Sequence, residues 1–386
     1  MPQEVIYKKE LKSFEVGEHR IPFPFPDKRG DSDFVFQGVE NYLVADYFKH
    51  NVAENDIKVL YLKSPGRGER HRIGWAIPYN SLLSAEHSFH DNEHFAEYAF
   101  AAYNILLSRE ELQDKLDGGL TFETAVTEIY KDSIQERTGD IDVSRVLFIA
   151  EKSNIDDADF TFADTDFSAM TYGYFPRENQ HANTQYLTST NDIIELVTNE
   201  NIKTVIRNRH LEQFFDELPS NISDQNNQSI VFQYLYQVIE ILIEEELINR
   251  LETMLNDFKD GKTSIRDSQT ALGNATEIKR IEKIFSGSGI RVVKTDKIGD
   301  GVEEAPAAAI DTGAEIAGEL HRLCNDFMVS KGREGYDFPN SFYQFRNMMV
   351  HRLRLVHRDT EQVRAINEIF EIAIYFLLSR YRKYKT

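Results

Sequence analysis

Arginine, asparagine and histidine side chains lie close together near the C-terminus, in the segment SFYQFRNMMVHRLRLVH from Ser341 to His357. Histidine titrates near neutral pH, so the imidazole of His351 can accept or donate a proton there. The guanidinium of Arg346 is permanently charged and can bind a phosphate oxygen. Asn347 stands one turn before His351, where its amide can orient the imidazole or bind an oxygen. This combination suits proton transfer beside a phosphate group.

The same segment has the apolar spacing of a helix that buries one face. At 100° per residue one narrow sector holds the predicted core residues, which are Phe342, Phe345, Met349, Leu353 and Val356. The opposite side, within a sector of about 60°, holds the polar residues Asn347, His351, Arg354 and Arg358. Arg346 lies between the two faces, where a long side chain can swing outward. We therefore expect His351 to point away from the core.

The end of the chain is basic, although the whole chain is acidic. A formal net charge of -20 argues against a protein that coats nucleic acid or an anionic membrane with its entire surface. From Phe345 onward, however, nine Lys and Arg residues stand against four Asp and Glu residues. A local positive patch of this kind attracts phosphate. The alternative interpretation is a solvated basic helix surface that has no chemical role.

The pattern of predicted secondary structure changes at the Asn-rich segment from Pro219 to Ser229, which we predict to be a linker. Before it, strand-like runs such as IKVLYLK, HRIGWAIPY and SRVLFIAEKS alternate with helical ones, and TVIRNRHLEQFFDEL is predicted as one amphipathic helix closing the first domain. After it, all strong patterns are helical. The predicted fold class is α+β, with a mixed α/β domain over residues 1–224 and an all-α helical bundle over residues 225–386.

Cysteine usage and hydropathy indicate the compartment. Cys324 is the only cysteine, so no intrachain disulfide can form. The N-terminal segment has no apolar signal core, and no apolar run approaches the ~20 residues that cross a bilayer. We expect a cytoplasmic protein that has no membrane partner.

Two other segments contain residues that could take part in chemistry. His87, His90 and His94 have helical spacing and could chelate a divalent metal, but no fourth ligand is identifiable and a polar surface segment is favoured. Gly66 and Gly68 lie in SPGRGERHR, which lacks the Lys-Ser/Thr ending of a phosphate-binding loop and is predicted to be a hairpin between two strands. We predict no metal and no cofactor.

The C-terminal motif resembles that of the HEPN superfamily, the higher-eukaryote and prokaryote nucleotide-binding domains. In its ribonuclease branch an arginine is followed by a polar residue, often asparagine, then by a few residues and a histidine that commonly follows an apolar residue. Arg346, Asn347, Val350 and His351 match these positions. The resemblance covers residues from about Ser229 to Thr386 and does not extend to the first domain.

The resemblance implies a metal-independent endoribonuclease of the toxin or antiviral defence type. The 2'-hydroxyl of RNA would attack the adjacent phosphate, with His351 transferring protons and Arg346 binding the phosphate. Asn347 would orient the imidazole or bind a phosphate oxygen. Arg354 and Arg358 would bind flanking RNA, with tRNA as one candidate substrate. Family members pair two domains around one cleft, which implies a homodimer. The first domain would bind an unidentified trigger. The alternative is a catalytically silent HEPN-like module that dimerises or binds a nucleotide or a partner protein.

Overall fold

Two compact units make up the chain in this computed structural model. One comprises Met1–Ala182 and Thr188–Thr198, and the other comprises Asn183–Leu187 and Asn199–Thr386. The described residues are 5–8, 13–16, 19–22, 34–35, 39–52, 56–63, 70–79, 81, 102, 105–106, 109–121, 124–125, 128, 143–177, 186–187, 192–223, 225–264, 266, 276–287, 312–333, 335–351 and 360–381.

The first unit contains two sheets. The smaller sheet has the order β3-β2-β1-β4 and is antiparallel, with β1 at Val5–Lys8, β2 at Ser13–Val16, β3 at His19–Pro22 and β4 at Phe34–Val35. The larger sheet has the order β5-β8-β7-β6-β9, with β5 at Tyr42–His50, β6 at Lys58–Lys63, β7 at Arg70–Pro78, β8 at Val143–Glu151 and β9 at Ile193–Val197. The sheet is mixed: β9 runs parallel to β6, and each of the other three pairs of neighbouring strands is antiparallel.

The central strands of the larger sheet are buried on both faces. Every residue from Val146 to Ala150 on β8 has a relative exposure of 0 %, which explains why this run is continuously apolar and does not alternate. Gly74 lies opposite β8, where a Cβ atom would collide with the Ile149 carbonyl. The antiparallel pairing of β6 with β7 confirms the predicted hairpin. This unit also contains two short α-helices, α1 at Glu110–Asp117 and α2 at Asp166–Thr171, and three 3-10 helices at Val39–Asn41, Lys152–Asn154 and Phe162–Thr165.

The second unit is helical in its described residues. Its helices are α3 at Glu200–Asn208, α4 at Glu212–Ser223, α5 at Gln228–Lys259, α6 at Glu277–Gly287, α7 at Thr312–Ser330, α8 at Phe338–His351 and α9 at Thr360–Arg380. The chain therefore has the predicted α+β class, with the sheets in the N-terminal part and most of the described helices in the C-terminal part. None of the helices in the described ranges is long and apolar enough to cross a bilayer.

Aromatic side chains form the core between α5, α8 and α9. The ring of Phe232 on α5 lies 5.1 Å from that of Phe345 and 5.5 Å from that of Phe370, and Phe342 lies 5.0 Å from Phe370. All four rings are fully buried, so each contributes a large apolar area to the stability of the unit. The predicted core positions Phe342, Phe345 and Met349 are confirmed, while Leu353 and Val356 lie outside the described residues.

The main division between the units falls between Thr198 and Asn199, and the short segment Asn183–Leu187 also belongs to the helical unit. The side chain of Asn199 accepts hydrogen bonds from the first turn of α3, and its Nδ2 donates to the carbonyl oxygens of Leu378 and Tyr381 at 2.8 and 3.0 Å. These bonds attach the start of α3 to the end of α9. The helical unit thus includes residues that their sequence pattern had grouped with the sheet domain.

Two local predictions near this division are wrong. The segment predicted as one helix is split into α3 and α4, because His210 adopts a left-handed backbone conformation with φ of 55°. The predicted linker is helical up to Ser223, and α5 already begins at Gln228. Leu218 and Ile222 are both buried beside Pro219, and this packing keeps the segment helical despite the proline.

We expect Asn199→Ala to destabilise the helical unit more than Asn227→Ala. Asn227 caps α5 through one bond to the Ser229 amide, so its loss costs about 1 kcal/mol. Asn199→Ala removes a cap and two donated hydrogen bonds, so it should lower the free energy of unfolding by about 2–3 kcal/mol in total. Asn199→Asp keeps the capping oxygen but loses the donors, and should still be destabilising. Urea denaturation measures all three; equal losses for the two alanine variants would contradict the attachment of α3 to α9.

Candidate functional site

Arg346 lies where α8 packs against α5 and α6. Its guanidinium carbon is 5.0 Å from the centroid of the Tyr236 ring on α5, a distance suited to a cation–π contact. Nη1 donates to Oδ1 of Asn347 at 3.2 Å, and Nη2 donates to Oε1 of Glu240 at 3.4 Å. Oε1 of Glu277 lies 3.9 Å from the same Nη2. The guanidinium thus rests on an aromatic face between an amide and two carboxylates.

Tyr236 connects the aromatic core to this polar group. Its ring stacks on Phe232 at 5.8 Å, while its hydroxyl donates to Oε1 of Glu277 at 2.6 Å. Burial and the Glu277 carboxylate raise the pKa of Tyr236 well above its ordinary value. The hydroxyl therefore remains a donor at physiological pH and holds Glu277 at the start of α6.

The hydrogen bonding of Arg346 is incomplete. Its Nε is buried and has no hydrogen-bond partner among the described residues. The contacts of Nη2 with the carboxylates are longer than the ~2.7–2.9 Å of strong charge-assisted bonds. Its side chain is 18 % exposed. Nη2 can therefore donate to another anion, whereas the buried Nε is not accessible to one in this conformation.

His351 is exposed at the end of α8, as far as this helix is described. The predicted outward position is therefore confirmed, while its role in proton transfer stays a prediction. The fold brings Arg346 and Asn347 into contact, but no hydrogen bond joins His351 to either of them in the described part of the chain. Five residues of an α-helix turn through about 140°, so the two side chains diverge from a single helix.

Several predicted site residues lie outside the described residues. These are Arg354 and Arg358 of the expected RNA-binding face, and the alternative metal ligands His87, His90 and His94. Within the described part of the basic C-terminal patch, Arg346 faces two carboxylates and Arg364 pairs with Glu361 at 3.3 Å. The positive charge of these two arginines is therefore partly balanced.

Sequence reasoning missed Tyr236, Glu240 and Glu277 as neighbours of Arg346. Tyr236 and Glu240 are one turn apart on α5, a spacing that places them on the same side of the helix. This spacing can be recognised in the sequence, but it does not indicate which helix packs against that side of α5. Glu277 stands at the first position of α6, where an acidic residue also interacts favourably with the helix dipole.

Comparisons with known proteins identify no relative: no family model matches the chain, and neither a curated protein nor a solved structure matches it.

We expect His351→Ala to leave the free energy of unfolding within about 0.5 kcal/mol of the wild-type value, because the side chain is exposed. Arg346→Ala should lower it by about 1–2 kcal/mol, since it removes the packing on Tyr236 and leaves Glu277 without its cation. Denaturation curves followed by circular dichroism test both values. An equal loss for the two variants would mean that His351 is packed against other residues.

Proposed function

We propose that the helical unit is a HEPN-like, metal-independent endoribonuclease of the toxin or antiviral defence type, which acts in the cytoplasm. The observation that carries the proposal is the environment of Arg346: its guanidinium rests on the Tyr236 ring, contacts Asn347 and makes only long contacts with the two carboxylates beside it among the described residues. Such a group is suited to the negative charge that develops on a phosphate during cleavage. The exposed His351 is on the same helix.

The proposed reaction is an intramolecular transfer within RNA. His351 removes the proton from a ribose 2'-hydroxyl, whose oxygen attacks the neighbouring phosphorus. The bond from phosphorus to the 5'-oxygen breaks, and this oxygen takes a proton from an imidazolium. The products are a 2',3'-cyclic phosphate and a free 5'-hydroxyl. Arg346 and Asn347 bind the phosphate oxygens, and Arg354 and Arg358 hold flanking phosphates of the RNA, of which tRNA is one candidate.

A homodimer would place two copies of the motif around one cleft, and the divergence of Arg346 and His351 on one helix favours such an arrangement. An exposed apolar stripe on the second half of α5 supports self-association. Its members are Ile248, Leu251, Leu255 and Phe258, with relative exposures of 37, 43, 54 and 46 %. Their steps of three, four and three residues match the seam of a coiled coil.

The stripe is complementary to a second copy of itself. In a parallel pair, each of these residues would lie opposite its own copy in the partner subunit, and the turn of α5 that contacts Arg346 would lie at the same height in both subunits. Over residues 250–262 the charges balance, with Arg250, Lys259 and Lys262 against Glu252, Asp257 and Asp260. The three glutamates just before the stripe, Glu244, Glu245 and Glu246, pair with Arg209 and Lys283 of the same chain. Two copies therefore meet without the repulsion expected from the net charge of the whole chain.

The cleavage prediction is tested with pure protein, total RNA or tRNA, and EDTA. Wild type should produce 2',3'-cyclic phosphate ends, and Arg346→Ala and His351→Ala should each lower the rate by at least about 100-fold. Arg322→Ala is the control, because Arg322 is an exposed arginine on α7 whose ion pairs with described residues lie within its own helix. Cleavage that survives His351→Ala would refute the catalytic assignment. RNA that is bound but left intact by wild type would favour the silent module.

The dimer prediction is tested by light scattering coupled to size-exclusion chromatography. Wild type should have twice the chain mass, and Leu251→Lys should shift it to the monomer mass, because a charge in the apolar seam opposes pairing. Val329→Lys serves as a matched control, since Val329 on α7 is 52 % exposed. A Leu251→Lys protein that still has twice the chain mass would exclude the α5 stripe as the interface.

A further inference from the structure

The two carboxylates beside Arg346 are held very differently. Oε1 of Glu277 accepts the short bond from the Tyr236 hydroxyl, and its side chain is 32 % exposed. Glu240 contacts only Nη2 of Arg346 among its described hydrogen bonds and ion pairs, at 3.4 Å, and its side chain is 51 % exposed. One carboxylate is therefore fixed by a second, buried partner, and the other is free to rotate into solvent.

We propose that Glu240 occupies the phosphate-binding position of Arg346 in the free protein and is displaced by a phosphate of the bound RNA, whereas Glu277 stays in place and positions the guanidinium. This inference rests on the proposed function, because it assigns the regulation of the same site. Glu240 acts as an internal competitor that any ligand must replace.

The geometry makes this exchange feasible. A phosphate group can bind a guanidinium through two parallel charge-assisted bonds, whereas Glu240 makes one long bond through a single oxygen. Ion pairs with a half-exposed partner contribute little to stability, so releasing Glu240 costs little. A charged ligand gains more from this exchange than a neutral one, because charge-assisted bonds to Nη2 are stronger than bonds to an uncharged acceptor. The site thus selects ligands that carry negative charge.

Glu277 cannot leave in the same way. Its movement would break the bond to Tyr236, whose hydroxyl would then lack its acceptor beneath the guanidinium. Tyr236 itself is only 3 % exposed and packs on Phe232 and Phe342. Glu277 and Tyr236 therefore stay in place and position the guanidinium of Arg346, whereas the side chain of Glu240 can move away from it.

The test measures the affinity for a short fluorescent single-stranded oligonucleotide that carries 2'-O-methyl riboses, by anisotropy with EDTA present. This probe has phosphates but no 2'-hydroxyl, so it cannot be cleaved by the proposed reaction. Glu240→Gln should tighten binding about threefold, the scale of one half-exposed ion pair. Glu244→Gln is the matched control: it removes the same charge one turn later on α5, where Glu244 pairs with Arg209 at 2.8 Å.

Two further variants separate competition from general charge effects. In a background of Arg346→Ala, Glu240→Gln should no longer tighten binding more than Glu244→Gln does, because there is no guanidinium to release. Glu277→Ala should weaken binding although it removes a negative charge, and Glu277→Gln should restore much of it, because an amide oxygen can still accept from Tyr236. A purely electrostatic role would give the opposite sign for Glu277→Ala.

The inference is overturned if Glu240→Gln and Glu244→Gln have equal effects, if the gain persists without Arg346, or if no variant binds the probe. The proposed function fails separately. If the protein binds the probe with the expected pattern but leaves natural RNA intact, the displacement of Glu240 is supported and the ribonuclease activity is refuted. If the protein cuts RNA but Glu240→Gln has the same affinity for the probe as wild type, the ribonuclease activity is supported and the competition by Glu240 is refuted.

Discussion

The rotation of α8 about its own axis is set by the burial of Phe342 and Phe345, and the candidate site depends on this constraint. Both rings pack against Phe232, and Phe342 also packs against Phe370, so the helix cannot turn without exposing a large apolar area. With these rings inside, Arg346 falls on the flank and His351 on the surface. The same aromatic packing that stabilises the unit therefore determines which polar groups face outward.

Tyr236 extends this core into the site. Its ring belongs to the aromatic cluster and its hydroxyl to the polar group around Arg346, so one side chain joins the two. A second carboxylate in the unit is also held by tyrosines: Glu371 accepts bonds from Tyr186 and Tyr375, but it is 1 % exposed. We interpret Glu371 as structural for this reason, whereas Glu240 and Glu277 stand at a partly exposed cation where exchange with solvent is possible.

Much of the secondary structure follows from local patterns. The apolar runs of β6, β7 and β8, and the helical spacing of α5, α6, α7, α8 and α9, predict these elements because period and length are local properties. The break at His210 and the helix through Pro219 were not predictable in this way. The first depends on a left-handed backbone conformation that is uncommon for residues other than glycine, and the second depends on burial of Leu218 and Ile222.

The apolar stripe of α5 shows where a sequence pattern stops being sufficient. Spacing alone predicts a helix that needs partners along its whole length, and Leu235 and Leu242 are indeed fully buried. Leu251 and Leu255 continue the same pattern but remain exposed. Hydrophobic periodicity identifies a face suited to burial, but the arrangement of the other helices decides how much of that face is covered.

By itself the sequence determined that Arg346 and Asn347 are adjacent, that His351 lies opposite the apolar face of its helix, and that the class is α+β. These properties depend on spacing within one element. Only the tertiary structure decided that Glu240 and Glu277 meet Arg346 and that α3 is attached to α9 through Asn199. Contacts between distant segments depend on how whole elements pack, and no local pattern specifies that packing.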